Sequence, residues 1–174
     1  FKLTPLQSNF SANMLALVDG EPILLTLRKM LQVFLDFRIK TIERRTTYLL
    51  RKAEERDHIL LGLLVALDNL DGIIALIRAA SDTPTAKTQL KDLHGLTDPQ
   101  ADAILQMQLR RLTALEADKI RLEHEDLLAK ISDFKDILER RERVLEIIQA
   151  ELISLRERYF SPRITQILDL GGGL

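Results

Sequence analysis

The sequence predicts a mainly all-α protein: a long antiparallel two-helix coiled coil capped by a small helical head, with a short β-hairpin near the N-terminus. Three observations carry this. The 174 residues are 46% apolar and 29% Asp, Glu, Lys and Arg, with 5% aromatics and few Gly or Pro, the composition of long helices and coiled coils. Two segments, residues 27–68 and 113–160, repeat apolar residues at alternating steps of four and three, which is a coiled-coil seam. Between them lies a compact insertion ending in QADAILQMQLRRLTALE, residues 100–116, which is apolar on more than one face.

Composition also bounds function. A net charge of −1 gives no global field that would recruit DNA or a membrane. With no cysteine, disulfides and thiolate sites are excluded and a reducing compartment fits. The opening FKLTPLQSNF lacks a signal-peptide pattern, and the longest apolar run, residues 59–67, is far short of the roughly 20 residues of a membrane span. A soluble protein is expected. The mid-pattern start and the terminal Gly171-Gly172-Gly173 fit a piece of something larger.

Residues 1–26 form the base. Two short apolar runs, 14–18 and 23–25, flank Asp19-Gly20, a dipeptide that favours a tight hairpin turn. Since an isolated hairpin is marginal, this one is expected to pack on further structure. Residues 27–68 are the first long helix, about 60 Å at 1.5 Å per residue. Its seam is Leu35, Ile39, Ile42, Thr46, Leu49, Ala53, Arg56, Leu60, Leu63 and Leu67. The other faces are charged until His58, beyond which ILLGLLVAL is apolar all round and implies a multi-helix head.

The head spans residues 69–112. Asp68-Asn69-Leu70-Asp71-Gly72 interrupts the pattern, and residues 73–80 make a short helix. Ser81-Asp82-Thr83-Pro84 offers N-caps before a proline, and residues 85–93 follow as a helix that Gly95 closes as a left-handed C-cap. Thr97-Asp98-Pro99-Gln100 repeats the start signal. In the helix it opens, Ala101, Leu105, Leu109 and Leu112 make the stripe expected to face the chain's own core, while Ala103, Ile104 and Met107 fall elsewhere. Two accounts of that second surface stand: a second copy covers it, or neighbouring helices of the same chain do.

Thr113-Ala114-Leu115-Glu116 is a capping-box pattern that starts the second long helix, residues 113–160. Its seam is Ile120, His124, Leu127, Ile131, Phe134, Leu138, Arg141, Leu145, Ile148, Leu152, Leu155 and Tyr159. Folding the two helices back on each other, with Leu67 beside Ile120, satisfies both seams and sets Thr46 opposite Arg141. Ser161-Pro162-Arg163 stops the helix, and residues 161–174 form the tail.

No catalytic constellation emerges. Glu55-Arg56-Asp57-His58 has the Glu-x-x-His spacing of di-metal bundle sites but lacks a second pair, because Arg121 stands three residues before His124. Position 128, four after His124, is Leu, which rules out the zinc-protease helix pattern. There is no Gly-rich phosphate loop or nucleophile elbow, and Tyr48 and Tyr159 read as packing residues. Arg38, Lys40, Arg44, Arg45, Arg51 and Lys52 cluster along the first helix. They could meet DNA phosphates, but acidic neighbours make a solvated coiled-coil face the plainer account, so only weak DNA contact by Arg44, Arg45, Arg51 and Lys52 is expected.

Taken in order, TPLQSNFSANMLALVDGEP, RRTTYLLRKAEERDHILLGLLVALDNLDGIIALIR and QADAILQMQLRRLTALE resemble the A subunits of DNA gyrase, bacterial-type type IIA topoisomerases, with those of topoisomerase IV as the close alternative. The resemblance covers nearly the whole chain and implies the end of the tower, the coiled-coil arm and the exit gate, or C-gate. It implies that two copies meet through their heads, with Gln100, Ala103, Ile104, Met107 and Arg111 touching the partner. The parent enzyme would supercoil double-stranded DNA by ATP-driven strand passage, with a gyrase B-like subunit handling ATP and Mg²⁺. The family's cleaving tyrosine and DNA-wrapping domain have no counterpart in these residues. No catalytic, metal or cofactor residue is therefore expected, and the chain alone should catalyse nothing. Location would be cytoplasmic, at the bacterial nucleoid, or organellar, in a chloroplast or mitochondrion. A reading from another class is a monomeric helical-hairpin adaptor or scaffold that binds a different protein.

Overall fold

The computed structural model describes residues 3–6, 8, 10–107 and 114–167, with the backbone alone at 114–116. Six helices and one two-stranded sheet occur among them, and the chain divides into two compact units, Phe1–Ile42 with Glu142–Leu174, and Glu43–Arg141.

In the first unit, β1 (Leu15–Val18) and β2 (Glu21–Leu24) pair antiparallel, with Leu15 opposite Leu24 and Val18 opposite Glu21. Asp19 and Gly20 both take positive φ, 52° and 89°, the requirement of the tight turn whose twist matches its strands. The ladder gains one bond beyond the strands, from the Leu25 N–H to the Met14 carbonyl at 2.8 Å, and Leu25 is buried. The first long helix, α1 (Leu27–Asp68), starts where the Thr26 hydroxyl accepts the Lys29 N–H at 3.3 Å, a side-chain cap. Its Ile39 and Ile42 are buried in this unit, as are Val144 and Ile148, and Arg38 pairs with Glu151.

The second expected long helix is two. One, α5, spans Ala114–Glu139 and the other, α6, spans Arg141–Tyr159. Buried positions slip by one residue around the break, Ile137 and Val144 being buried in place of Leu138 and Leu145. Only Arg140 separates the two helices, and its N–H still reaches the Asp136 carbonyl at 3.1 Å. The expected capping box falls on Thr113, outside the described residues, and on side chains at 114–116 that are not described.

In the second unit, α1 and α5 run antiparallel. Partners descend along α5 as positions rise along α1: Glu54 meets Lys135 at 3.0 Å, Arg56 meets Glu123 at 2.7 Å, and Asp68 meets Arg121 at 3.2 Å. The last of these lies next to the expected Leu67–Ile120 pairing. The seam keeps its expected phase at Thr46, Ala53, Leu60 and Leu63 and is displaced by one residue at two positions, Leu49 and Arg56. Thr46, Ala53, Asp57 and Leu60 are buried and Leu50 half-buried, whereas Leu49 and Arg56 are exposed. Asp57 takes the inner position because His124 Nδ1 lies 2.6 Å from its carboxylate, and a partnered acid can be buried. Arg56, one residue along, lays its guanidinium on the Glu123 carboxylate at 2.7 and 2.9 Å. Arg141 is exposed and Thr46 buried, so the polar contact across the seam is Asp57–His124, not Thr46–Arg141.

The head packs on this end of α1. After a 92° bend at Asn69 come α2 (Leu70–Ala79), α3 (Thr83–His94) and α4 (Asp98–Leu105). The Asp82 side chain caps α3 by accepting the Thr85 N–H at 2.8 Å, and Gly95 closes it in the left-handed conformation at φ 63°. Leu60, Leu63, Ala66, Ile73, Leu90, Leu96, Ala101, Ile104 and Ile120 form one core.

Candidate functional site

The site is helix α4 and the turn that follows it. Thr97 and Gln100 form a capping box at the start of α4, with Pro99 in its first turn, so two N–H groups of that terminus are satisfied by the helix's own residues. At the other end α4 closes at Leu105: the Gln106 N–H reaches the Asp102 carbonyl at 3.0 Å, and the Met107 N–H reaches the Ile104 carbonyl at 3.1 Å, a tightened last turn. The single helix expected to run on through position 112 is thereby cut. Leu109, Leu112 and Arg111 lie outside the described residues.

The inner face of α4 also differs from the expected stripe. Gln100, Ala101 and Ile104 are 8%, 0% and 4% exposed, while Leu105 is only half-buried. Gln100 is the reason. Its Oε1 accepts the Thr97 N–H at 3.0 Å and its Nε2 donates to the His58 carbonyl at 2.7 Å, so both ends of the amide are satisfied and burial leaves no orphan group. Thr97 Oγ1 in turn lies 2.7 Å from His58 Nε2. A pattern that keeps polar residues out of the core turns α4 by most of a residue and places Ile104 on the outside; the bonded amide turns it back. Gln100 and Ile104, both expected on the partner surface, are therefore internal, whereas Ala103 and Met107 are half-buried at the edge of the core.

Ion pairs join α4 to α3. Lys87 Nζ lies 2.8 Å from Asp102 and 3.3 Å from Asp98, and Lys91 Nζ lies 3.0 Å from Asp98. The hydrogen bonds from Lys91 and then Lys87 hold the Asp98 carboxyl below the usual carboxylate range, and Asp102 raises the Lys87 ammonium. Such exposed pairs orient helices more than they stabilise them.

The basic cluster of α1 is largely engaged within the chain. Arg51 and Lys52 both pair with Glu55, at 3.8 and 2.9 Å, which holds that carboxyl low, chiefly through Lys52. Arg51 also sits over the Tyr48 ring at 5.7 Å. Arg45 is partnered too, and Arg44 is exposed. Tyr48, expected to pack, is 53% exposed and serves as a platform for Arg51; Tyr159 is likewise exposed. Among the described residues, no three His, Asp or Glu side chains gather as a metal site, and no single helix is long and apolar enough to cross a membrane.

Sequence reasoning missed the cluster of His58, Gly62, Thr97 and Gln100. Two signals for it were present: a Thr-x-x-Gln capping pattern and an isolated glycine inside a helical run.

The family model for the DNA gyrase/topoisomerase IV A subunit matches residues 1–153. The chain is similar to the DNA gyrase A subunit of Synechocystis sp., with 62% identity over all of this chain and 20% of the relative. It is 47% identical to the Streptococcus pyogenes serotype M18 DNA gyrase A subunit over 97% of this chain and 20% of the relative. To the chloroplastic/mitochondrial DNA gyrase A subunit of Nicotiana benthamiana it is 42% identical over 99% of this chain and 18% of the relative. The chain thus spans about a fifth of the length of these relatives.

Proposed function

Because the chain belongs to the family of DNA gyrase/topoisomerase IV A subunits, we propose that it forms the coiled-coil arm and exit gate of such a protein, two copies meeting through their helical heads. The observation that carries this is the end of α4, where Ala103 and Met107 rest on the core by one side only. Half-buried apolar side chains at the tip of a head are suited to a small, reversible contact. The partner surface then comprises Ala103, Met107 and Arg111, and Gln100 and Ile104 are withdrawn from it. In the parent enzyme the gate would let the transported DNA duplex leave during ATP-dependent supercoiling by double-strand passage. A gyrase B-like subunit would handle ATP and Mg²⁺. Arg44, Arg45, Arg51 and Lys52 would make at most weak, salt-sensitive contacts with DNA. The names of the relatives support a bacterial cytoplasmic or an organellar location.

A second reading, the monomeric hairpin adaptor, draws support from the burial of Ile104 inside the head. Cysteine cross-linking separates the two. Single substitutions Ala103→Cys and Met107→Cys should each give covalent homodimers under mild oxidation, because a two-fold contact brings identical positions together. A chain that sediments as a monomer at high micromolar concentration and gives no cross-link at either position would overturn the gate in favour of the adaptor.

A further inference from the structure

Gly62 stands in the interior of α1, where a glycine normally weakens a helix. A Cβ built there would lie 2.6 Å from both Cβ and Cγ of Gln100 and 3.1 Å from its Cδ. That is closer than carbon atoms approach, so α4 reaches α1 at a distance only glycine permits. One turn earlier, the His58 carbonyl accepts the Gln100 Nε2–H at 2.7 Å and the His58 ring meets Thr97 Oγ1 at 2.7 Å. The backbone contact at Gly62 and the polar contacts at His58 thus fix the same helix from two points about one turn apart. Ala103 lies in the last turn of that helix and Met107 two residues past its end, held by the bond from its N–H to the Ile104 carbonyl.

We propose that Gln100 is a positioning residue of the gate and forms, with Gly62, the joint through which arm helix α1 sets the place of α4 and its Ala103–Met107 edge. This deepens the gate reading and rests on it. The Gln100 side chain seated on Gly62 prevents α4 from sliding along α1, and the two hydrogen bonds to His58, from the Gln100 amide to its carbonyl and between Thr97 Oγ1 and its ring, prevent α4 from rotating. A displacement of α1 at this turn is therefore carried to the partner surface, and no residue of the joint needs to touch the partner.

The test is a cycle of Gly62→Ala and Gln100→Gly, singly and together, in the full chain. Gly62→Ala should lower the unfolding midpoint, speed hydrogen exchange at the α4 amides, weaken the dimer about tenfold and reduce disulfide cross-linking through Met107→Cys. In the Gln100→Gly background, where no side chain remains to be struck, the same Gly62→Ala change should raise the midpoint, as helix propensity alone dictates. That reversal of sign is not expected of two independently destabilising changes. If Gly62→Ala raises the midpoint in both backgrounds, or leaves exchange and cross-linking at position 107 unchanged, the joint is refuted. A wild-type chain that never dimerises refutes the gate instead. The sign reversal and the exchange at α4 are still read in that case, so the two failures are distinguishable.

Discussion

Asp98 shows what single side chains contribute at the surface of the head. Its carboxylate opens α4, where a negative charge suits the helix terminus, and it receives Lys91 and Lys87 from α3. These donors lower its pKa from the ordinary 3.8. A carboxyl whose folded pKa lies below its unfolded one adds stability above the unfolded value and loses it as pH falls through the folded value. The window therefore lies below about pH 3.8. Asp98→Asn should lower the urea midpoint at pH 7, an effect that added salt reduces because the group is exposed, and should leave the midpoint unchanged once the pH has fallen below the folded value, where the carboxyl is protonated in both states. An equal loss at both pH values would assign the effect to packing, not charge. Gln100 teaches the complementary lesson. Its polarity marked it as a surface residue, yet two satisfied amide contacts put it in the core, and no rule of residue type distinguishes the two fates.

At the scale of elements, whatever depends on adjacent residues was legible. The Asp19-Gly20 turn, the Asp82 and Thr97 starts and the Gly95 stop all stand where turn and cap chemistry put them. Two long-helix segments and their antiparallel pairing were legible too, because a heptad period averages over many residues. The seam itself was legible at most positions of α1, but not its one-residue displacement at Leu49 and Arg56. Leu49 and Leu50 are equally apolar, and the choice between Arg56 and Asp57 turns on His124, sixty-seven positions away. The end of α4 at Leu105 and the break at Arg140 are equally silent in composition, since no Gly or Pro marks either. The Asp57–His124 pair gives the phase a test. Asp57→Leu alone leaves His124 without its partner in a part-buried site and should cost about 2 kcal/mol. Asp57→Leu with His124→Leu replaces the pair by apolar packing and should recover most of that loss. Urea unfolding of the two singles and the double measures the coupling. Additive losses would mean that the pair is incidental and that the seam is held by Ala53 and Leu60 alone.

At the scale of the whole chain, the two units differ in how much apolar surface they leave open. The second unit has a closed core around Leu60, Leu90 and Ala101. In the first, Leu15, Leu17 and Leu24 share one face of the hairpin by their register and all are more than 60% exposed. Leu27, Leu31 and Phe37 of α1 are about as open. Open apolar side chains such as the three leucines on one hairpin face favour association. The isolated chain should therefore bind an environment-sensitive dye and self-associate with rising concentration through its first unit, by a route that Met107 does not control. Leu17→Lys with Leu24→Lys should suppress both signals, because cations on an exposed strand oppose edge pairing and burial. It should leave the circular dichroism of the helices unchanged and any cross-linking at position 107 intact. A wild-type chain that stays monodisperse and dye-silent at tens of micromolar would mean that the hairpin face is covered within the chain. If the double variant instead abolished cross-linking at position 107, the two associations would be one, and the contact between copies would have to be sought at the hairpin, not at the tip of α4.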